Sequence, residues 1–66
     1  MKLIVNGEPQ EAADGATLDA LVRAVTAAVS GVAVAVNDEV VRRGSWASTL
    51  LNDGDRVEVL TAVQGG

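Results

Sequence analysis

The end of the chain carries its most distinctive chemical group. The last three residues are Gln64, Gly65 and Gly66, so no bulky side chain hinders the final carboxylate. Because glycine has no Cβ atom, two terminal glycines can enter a channel barely wider than a peptide. A carboxylate resists nucleophiles at neutral pH until an enzyme activates it, for example by adenylation with ATP. We therefore interpret Gly66 as the residue to be modified, and Gly65 and Gln64 as the segment that threads into a partner.

The side chains offer little chemistry of their own. The sequence contains no His and no Cys, and thus neither the usual general base nor a thiol nucleophile for acyl transfer. Asp53, Gly54 and Asp55 resemble the start of a calcium loop, but the further oxygen ligands that such a loop needs are missing. We expect no catalytic residue, no metal site and no bound cofactor.

Composition restricts the possible partners and the location. The chain has 66 residues, a formal net charge of -4 and a single aromatic residue, Trp46. Such a chain is poorly suited to neutralise phosphates or to stack on bases, which argues against nucleic acid. No apolar run approaches the roughly 20 residues of a membrane span, and no signal peptide pattern begins the chain. We expect no membrane contact and a cytoplasmic location.

Two strands and a helix are predicted for the first half. Apolar residues at every second position over residues 1–5 predict a strand, which Asn6 and Gly7 turn into a hairpin. A weak edge strand, opened by Pro9, is expected over residues 10–13. A helix of about 12 residues should follow, capped by Thr17 and ended by Ser30 and Gly31. Its apolar stripe comprises Leu18, Leu21, Val22, Val25 and Val29.

The second half predicts a second hairpin and a last strand. Residues 32–36 have valine at every second position, and a turn at residues 37–39 should lead to a short strand over residues 40–41. Within residues 45–51 we expect a short helical turn that places Trp46 and Leu50 against the sheet. Beyond a turn at residues 52–55, apolar alternation predicts the last strand.

This order of elements predicts an α+β fold of the β-grasp (ubiquitin-like) class. One helix can cover only one face of a sheet, here a mixed sheet of four to five strands. The last strand should lie beside the first. We expect residues 1–66 to form a single domain with a flexible C-terminal tail at residues 64–66.

Three residues are candidates for contact with a protein partner. If Val57 and Val59 face the helix, Leu60 and Ala62 point to the outer face of the sheet, beside the tail. An apolar pair with few charges nearby suits a transient contact, although edge strands could instead bury it. Arg43, next to another arginine, is a candidate contact for an acidic partner or a solvated charge.

The sequence resembles the sulfur carrier proteins of thiamine biosynthesis, the ThiS family, along its whole length. The resemblance is carried by residues 1–7, by Gly15, Thr17, Leu18, Leu21 and Val22, by residues 34–37, by Val40, Val41, Arg42, Arg43 and Trp46, by residues 53–55, and by Val63, Gln64, Gly65 and Gly66. The combination of Arg43 and Trp46 with the two terminal glycines is the most specific part. Arg42 stands where the family often has proline, which affects the expected geometry of that loop.

The resemblance implies a carrier that is a cosubstrate of enzymes and no enzyme itself. An E1-like adenylyltransferase of the ThiF type would adenylate Gly66 with ATP. Sulfur drawn from cysteine through a cysteine desulfurase would convert the adenylate into a thiocarboxylate. A thiazole synthase of the ThiG type would then accept the sulfur.

Other interpretations of the same sequence remain open at this stage. The small subunit of molybdopterin synthase has the same fold and tail but is usually somewhat longer, and carriers for other sulfur pathways are similar. A ubiquitin-like interaction module, in which the terminal glycines are an incidental frayed end, is an alternative of another class.

Overall fold

The computed structural model describes residues 1–28 and 30–62. The strands are β1 (Lys2–Val5), β2 (Glu8–Glu11), β3 (Val32–Val36), β4 (Glu39–Val41) and β5 (Arg56–Thr61), the α-helix α1 is Leu18–Val25, and a 3₁₀ helix is Arg43–Ser48. The strands form one sheet in the order β2-β1-β5-β3-β4, in which β1 and β5 run parallel. This arrangement confirms the predicted mixed sheet with the last strand beside the first.

The first hairpin has a two-residue turn. Asn6 and Gly7 have φ angles of 50° and 83°, the left-handed values that such a turn requires. Val5 pairs with Glu8, so β2 begins directly after the turn. The prediction of β2 over residues 10–13 was therefore two residues late at both ends, because the short turn fixes the register. The predicted position of β2 at the edge of the sheet is confirmed.

Helix α1 is shorter than predicted. Thr17 Oγ1 accepts a hydrogen bond from the Ala20 amide at 3.2 Å, which confirms the predicted cap. The helix ends at Val25, because Thr26 is extended and its hydroxyl accepts a local bond from the Ala28 amide at 3.1 Å. The predicted end at Ser30 and Gly31 was wrong, and Val29 of the predicted stripe lies outside the described residues.

The second hairpin repeats the geometry of the first. Asn37 and Asp38 have φ angles of 50° and 72°, and Val36 pairs with Glu39. The turn therefore contains two residues, where three were predicted, and β4 gains Glu39 at its start. Both hairpins thus place an asparagine at the first turn position.

Trp46 closes one end of the core from the 3₁₀ helix. Its side chain is 4% exposed, and Nε1 donates to the Val41 carbonyl at 2.8 Å. Leu50 was predicted to pack against the sheet but is 64% exposed, whereas Leu51 is 4% exposed. Residues 49–51 are extended beside Ala16 and Leu18, to which they bond by backbone groups, and an extended segment buries only alternate side chains.

The core between sheet and helix is built almost entirely from aliphatic side chains. Its buried members are Leu3, Val5, Leu18, Leu21, Val22, Val34, Trp46, Leu51, Val57 and Val59. No buried side-chain nitrogen or oxygen atom among the described residues lacks a hydrogen-bond partner. Neither described helix has the length and apolar character needed to cross a membrane.

Leu18 and Leu50 offer a matched test of this packing. Leu18→Ala should lower the free energy of unfolding by about 2 to 5 kcal/mol, because Leu18 is fully buried. Leu50→Ala should change it by less than about 0.5 kcal/mol. Urea denaturation followed by circular dichroism measures both values. A similar loss in the two variants would contradict the observed orientation of residues 49–51.

Candidate functional site

Strand β5 is the element that leads to the predicted reactive end of the chain. It occupies the middle of the sheet, with Val57 and Val59 buried under helix α1. The described part of the chain ends one residue after β5, at Ala62. Gln64, Gly65 and Gly66 lie outside the described residues, and β5 is the described strand nearest to them in the sequence.

Strand β3 holds β5 along its entire length. The two strands pair in antiparallel register from Val36 with Val57 to Val32 with Thr61. One further bond, from the Ala62 amide to the Gly31 carbonyl at 2.7 Å, extends the contact beyond the strand. Gly31 has φ +69°, and a Cβ atom there would lie 3.2 Å from the Ala62 Cβ atom. The glycine predicted to end the helix therefore serves to let β5 approach.

Asn6 holds β5 on its other flank. Its Oδ1 accepts a bond from the Val59 amide at 2.9 Å, and its Nδ2 donates to the Val59 carbonyl at 3.3 Å. The side-chain amide thus does what a further residue of β1 would do, at a point where β1 has already turned away. Its own backbone amide also donates to the Val57 carbonyl at 2.9 Å.

Asn37 makes the equivalent contact at the start of β5. Its Oδ1 accepts from the Arg56 amide at 2.9 Å, and its Nδ2 donates to Asp55 Oδ1 at 3.0 Å. Sequence reasoning treated both asparagines only as turn residues and missed these contacts. One signal in the sequence was available. Each turn has asparagine at a position where glycine could adopt the same φ, and the side-chain amide of asparagine can form further hydrogen bonds.

An apolar surface covers part of the outer face of the sheet. Leu60 is 68% exposed and lies opposite Ala33, while Val40 is 82% exposed and lies opposite Ala35. We call Ala33, Ala35, Val40 and Leu60 the outer patch. The predicted outward orientation of Leu60 is confirmed, and no described residue buries it. Ala62 is also exposed, at the end of the same strand.

Arg43 lies away from the outer patch, on the side of helix α1. Its Cζ atom is 5.3 Å from the centre of the Trp46 ring, within range of a cation–π interaction. The two residues line a groove of about 280 Å³ with Asp19, Arg23 and the residues that follow the helix. The structure thus separates Arg43 from Leu60 and Ala62, so these candidates for partner contact do not form one surface.

The carboxylates of the turns accept hydrogen bonds from backbone amides and from an arginine side chain. Asp53 accepts a bond from the Lys2 amide at 2.7 Å, and Asp55 accepts one from the Asn52 amide at 2.8 Å. Asp38 pairs with exposed Arg56 at 2.8 Å, and this hydrogen bond raises the pKa of the Arg56 guanidinium. Among the described residues no group of three metal-ligating side chains occurs. These contacts agree with the interpretation of Asp53 and Asp55 as turn residues.

Comparison with known proteins identifies the family. A model of the ThiS family matches residues 3–66. The chain belongs to the ThiS family. This membership confirms the resemblance inferred from the sequence.

Relatives and a solved structure agree with this placement. The sulfur carrier protein ThiS of Escherichia coli is 29% identical, with complete coverage of both chains. The thiamine biosynthesis protein ThiS of Geobacter metallireducens is 36% identical, and its crystal structure superposes with a TM-score of 0.83 over the whole of both chains. A thiazole synthase of Magnetococcus marinus is 39% identical over the whole of this chain, which spans 20% of that relative's length.

The contact between Arg43 and Trp46 can be tested through stability. Arg43→Ala should lower the free energy of unfolding by about 0.5 to 1 kcal/mol, because it removes an exposed cation from the ring face. Arg42→Ala is the control, since it removes a neighbouring arginine that makes no ion pair among the described residues. Fluorescence of Trp46, the only tryptophan, reports unfolding in urea. Equal stability of both variants would argue against the contact.

Proposed function

We propose that this chain carries sulfur as a thiocarboxylate on Gly66 and delivers it for the thiazole moiety of thiamine. The observation that carries the proposal is that the ThiS family match continues to residue 66 and so includes both terminal glycines. Two whole-length relatives are named for ThiS or for thiamine biosynthesis. The absence of His and Cys from the sequence fits a carrier whose side chains take no part in the chemistry.

The first step is activation of the carboxylate by an E1-like adenylyltransferase of the ThiF type. An oxygen of the Gly66 carboxylate attacks the α-phosphorus of ATP, and pyrophosphate leaves. Formation of the acyl adenylate removes the negative charge that protects a carboxylate from nucleophiles. The adenylate also has AMP as a good leaving group. Gln64 and Gly65 are the residues that thread into the enzyme, and the absence of side chains at Gly65 and Gly66 lets the end of the chain enter a narrow channel.

The second step exchanges oxygen for sulfur. A persulfide, formed from cysteine by a cysteine desulfurase, attacks the acyl carbon with its terminal sulfur, and AMP leaves. A thiol then attacks the sulfur of the resulting acyl disulfide that is not bonded to the acyl carbon. This step forms a new disulfide, supplies two electrons and releases the thiocarboxylate. Every reacting atom of the carrier belongs to Gly66, so the folded domain contributes only recognition and position.

The fold restricts where the activating site can lie. Four residues follow Ala62, and a chain of four residues spans at most about 14 Å when fully extended. The adenylyltransferase must therefore place its reactive centre within that distance of the end of β5. A rigidly held β5 keeps the starting point of the tail fixed, which lowers the conformational entropy lost when the enzyme captures the tail.

A thiazole synthase of the ThiG type is the proposed acceptor of the sulfur. The relative from Magnetococcus marinus combines a region similar to this entire chain with a longer remainder, and it is named thiazole synthase. That combination favours thiamine over molybdopterin synthesis as the destination. We propose a cytoplasmic location, with ATP consumed by the partner and no cofactor held by the carrier.

The outer patch is the proposed contact surface for the adenylyltransferase. Leu60 and Ala62 lie at the end of β5, next to the tail, and Glu58 is the nearby carboxylate on the same face. Exposed aliphatic side chains with few charges are typical of transient protein contacts. Arg43 lies on the other side of the sheet and is therefore proposed for a separate partner contact.

Sulfur loading can be tested by intact mass. Incubation with a ThiF-type adenylyltransferase, ATP, cysteine, a cysteine desulfurase and a thiol should replace one oxygen of the chain by one sulfur. A chain that lacks Gly66 should unfold at the same urea concentration but show no change of mass, because a terminal residue contributes little to the core. An unchanged mass of the full chain with an active enzyme would support the interaction module instead.

Leu60 and Leu50 provide a matched test of the outer patch. Leu60→Asp should raise the KM for adenylation by at least about tenfold, because it places a carboxylate in an apolar contact. Leu50→Asp, at a leucine of similar exposure outside the outer patch, should leave the KM unchanged. Pyrophosphate release measures adenylation, and circular dichroism checks folding. A folded Leu60→Asp variant with the KM of the unmodified chain would remove the outer patch from the proposal.

A further inference from the structure

The two flanks of β5 differ in how far their hydrogen bonding extends. On the β3 side, bonding continues to Ala62, whose amide donates to the Gly31 carbonyl. On the β1 side, strand pairing covers only Arg56 and Val57. The side chain of Asn6 then satisfies the amide and carbonyl of Val59, and β2 leads the chain away from β5.

Strand geometry leaves the backbone of Thr61 open on the β1 side. Arg56 and Ala62 form backbone bonds with Asn37 and Gly31, the residues that flank β3. Val57 and Val59 instead bond to Asn6, on the β1 side. Because successive residues of a strand point their backbone groups to opposite flanks, the amide and carbonyl of Thr61 point to the β1 side. No described strand lies beside β5 at that position. Among the described residues, the amide and carbonyl of Thr61 thus have no backbone partner on the β1 side.

We propose that an extended segment of the activating adenylyltransferase adds to β5 at Thr61 as a further strand. The inference rests on the proposed function, because it assigns a binding mode to the enzyme proposed there. Strand addition uses backbone bonds for affinity and alternate side chains for selectivity. The added strand would begin next to the Asn6 side chain, because the side-chain amide of Asn6 already occupies the position beside Val59.

The position and chemistry of this edge favour the adenylyltransferase over other occupants. Residues 63–66 follow Ala62 directly in the sequence, so an enzyme that binds these residues must also come close to the end of β5. The neighbouring side chains of Leu60, Thr61 and Ala62 are uncharged and exposed, and Leu60 offers an apolar side chain on the outer face. A strand added here would continue the sheet and hold the tail in line with β5.

Proline at position 61 is the discriminating variant. Thr61→Pro removes the amide that the added strand needs, while the pairing with β3 uses the backbone groups of the alternate residues. Leu60 is already extended, as a residue before proline prefers. Thr61→Ala is the control, because it removes the side chain and keeps the amide. Both variants should have the circular dichroism spectrum of the unmodified chain.

The expected result is a change in recognition without a change in chemistry. Thr61→Pro should raise the KM for adenylation by about tenfold, as expected for a lost backbone bond, and leave kcat unchanged. Thr61→Ala should retain the KM of the unmodified chain. Equal KM values for the two variants, with the unmodified chain adenylated normally, would overturn strand addition and leave the proposed function intact. An unmodified chain that the enzyme neither binds nor adenylates would overturn both.

Hydrogen exchange decides the question even if Thr61→Pro fails to fold. In the unmodified chain the Thr61 amide should exchange quickly when free and at least about tenfold more slowly in the complex with the adenylyltransferase. The Ala62 amide, already bonded to Gly31, is the internal control. An unchanged exchange rate at Thr61 in the complex would refute the proposal. Protection that depends on the concentration of the carrier alone would assign the edge to a second copy and also refute it.

Discussion

The structure depends on the fixation of β5 from both sides. This strand lies at the centre of the sheet, pairs with β1 and β3, and contributes Val57 and Val59 to the core. Two asparagines, one from each hairpin turn, add side-chain bonds to its backbone. In a domain of 66 residues without cysteines, the core is small and no disulfide can support it, so such contacts add to a limited stability. The result is a firm support for the last residues of the chain.

This support fits the proposed role, in which the end of the chain reacts and the side chains of the folded domain do not. The carboxylates of the turns are engaged with backbone amides or arginine, and Trp46 is buried. The proposed chemistry therefore uses the end of the chain and the enzymes that would receive it. The outer patch and the groove beside Arg43 lie on opposite sides of the sheet, which leaves room for successive partners to use different surfaces.

Local patterns were enough to predict most of the fold but little of how β5 is held. Alternation and turn residues predicted the strands and their order, since both signals act over a few residues. The end of α1 was missed because a local bond at Thr26 competes with the helix. Leu50 was predicted to face the sheet, but Leu51 is the buried residue. Which side chains of an extended segment point inward depends on the strands beside it, which the local sequence does not specify. The contact of Asn6 with Val59 joins residues 53 positions apart and arises only from the parallel pairing of β1 with β5.

In the proposed function the reacting atoms belong to Gly66 and the folded domain only presents them. The most direct measurement is tandem mass spectrometry of the loaded chain, which locates the added sulfur along the sequence. We expect sulfur only in fragments that contain the carboxyl group of Gly66. Sulfur on any fragment that lacks this residue would contradict the assignment of the reaction to Gly66.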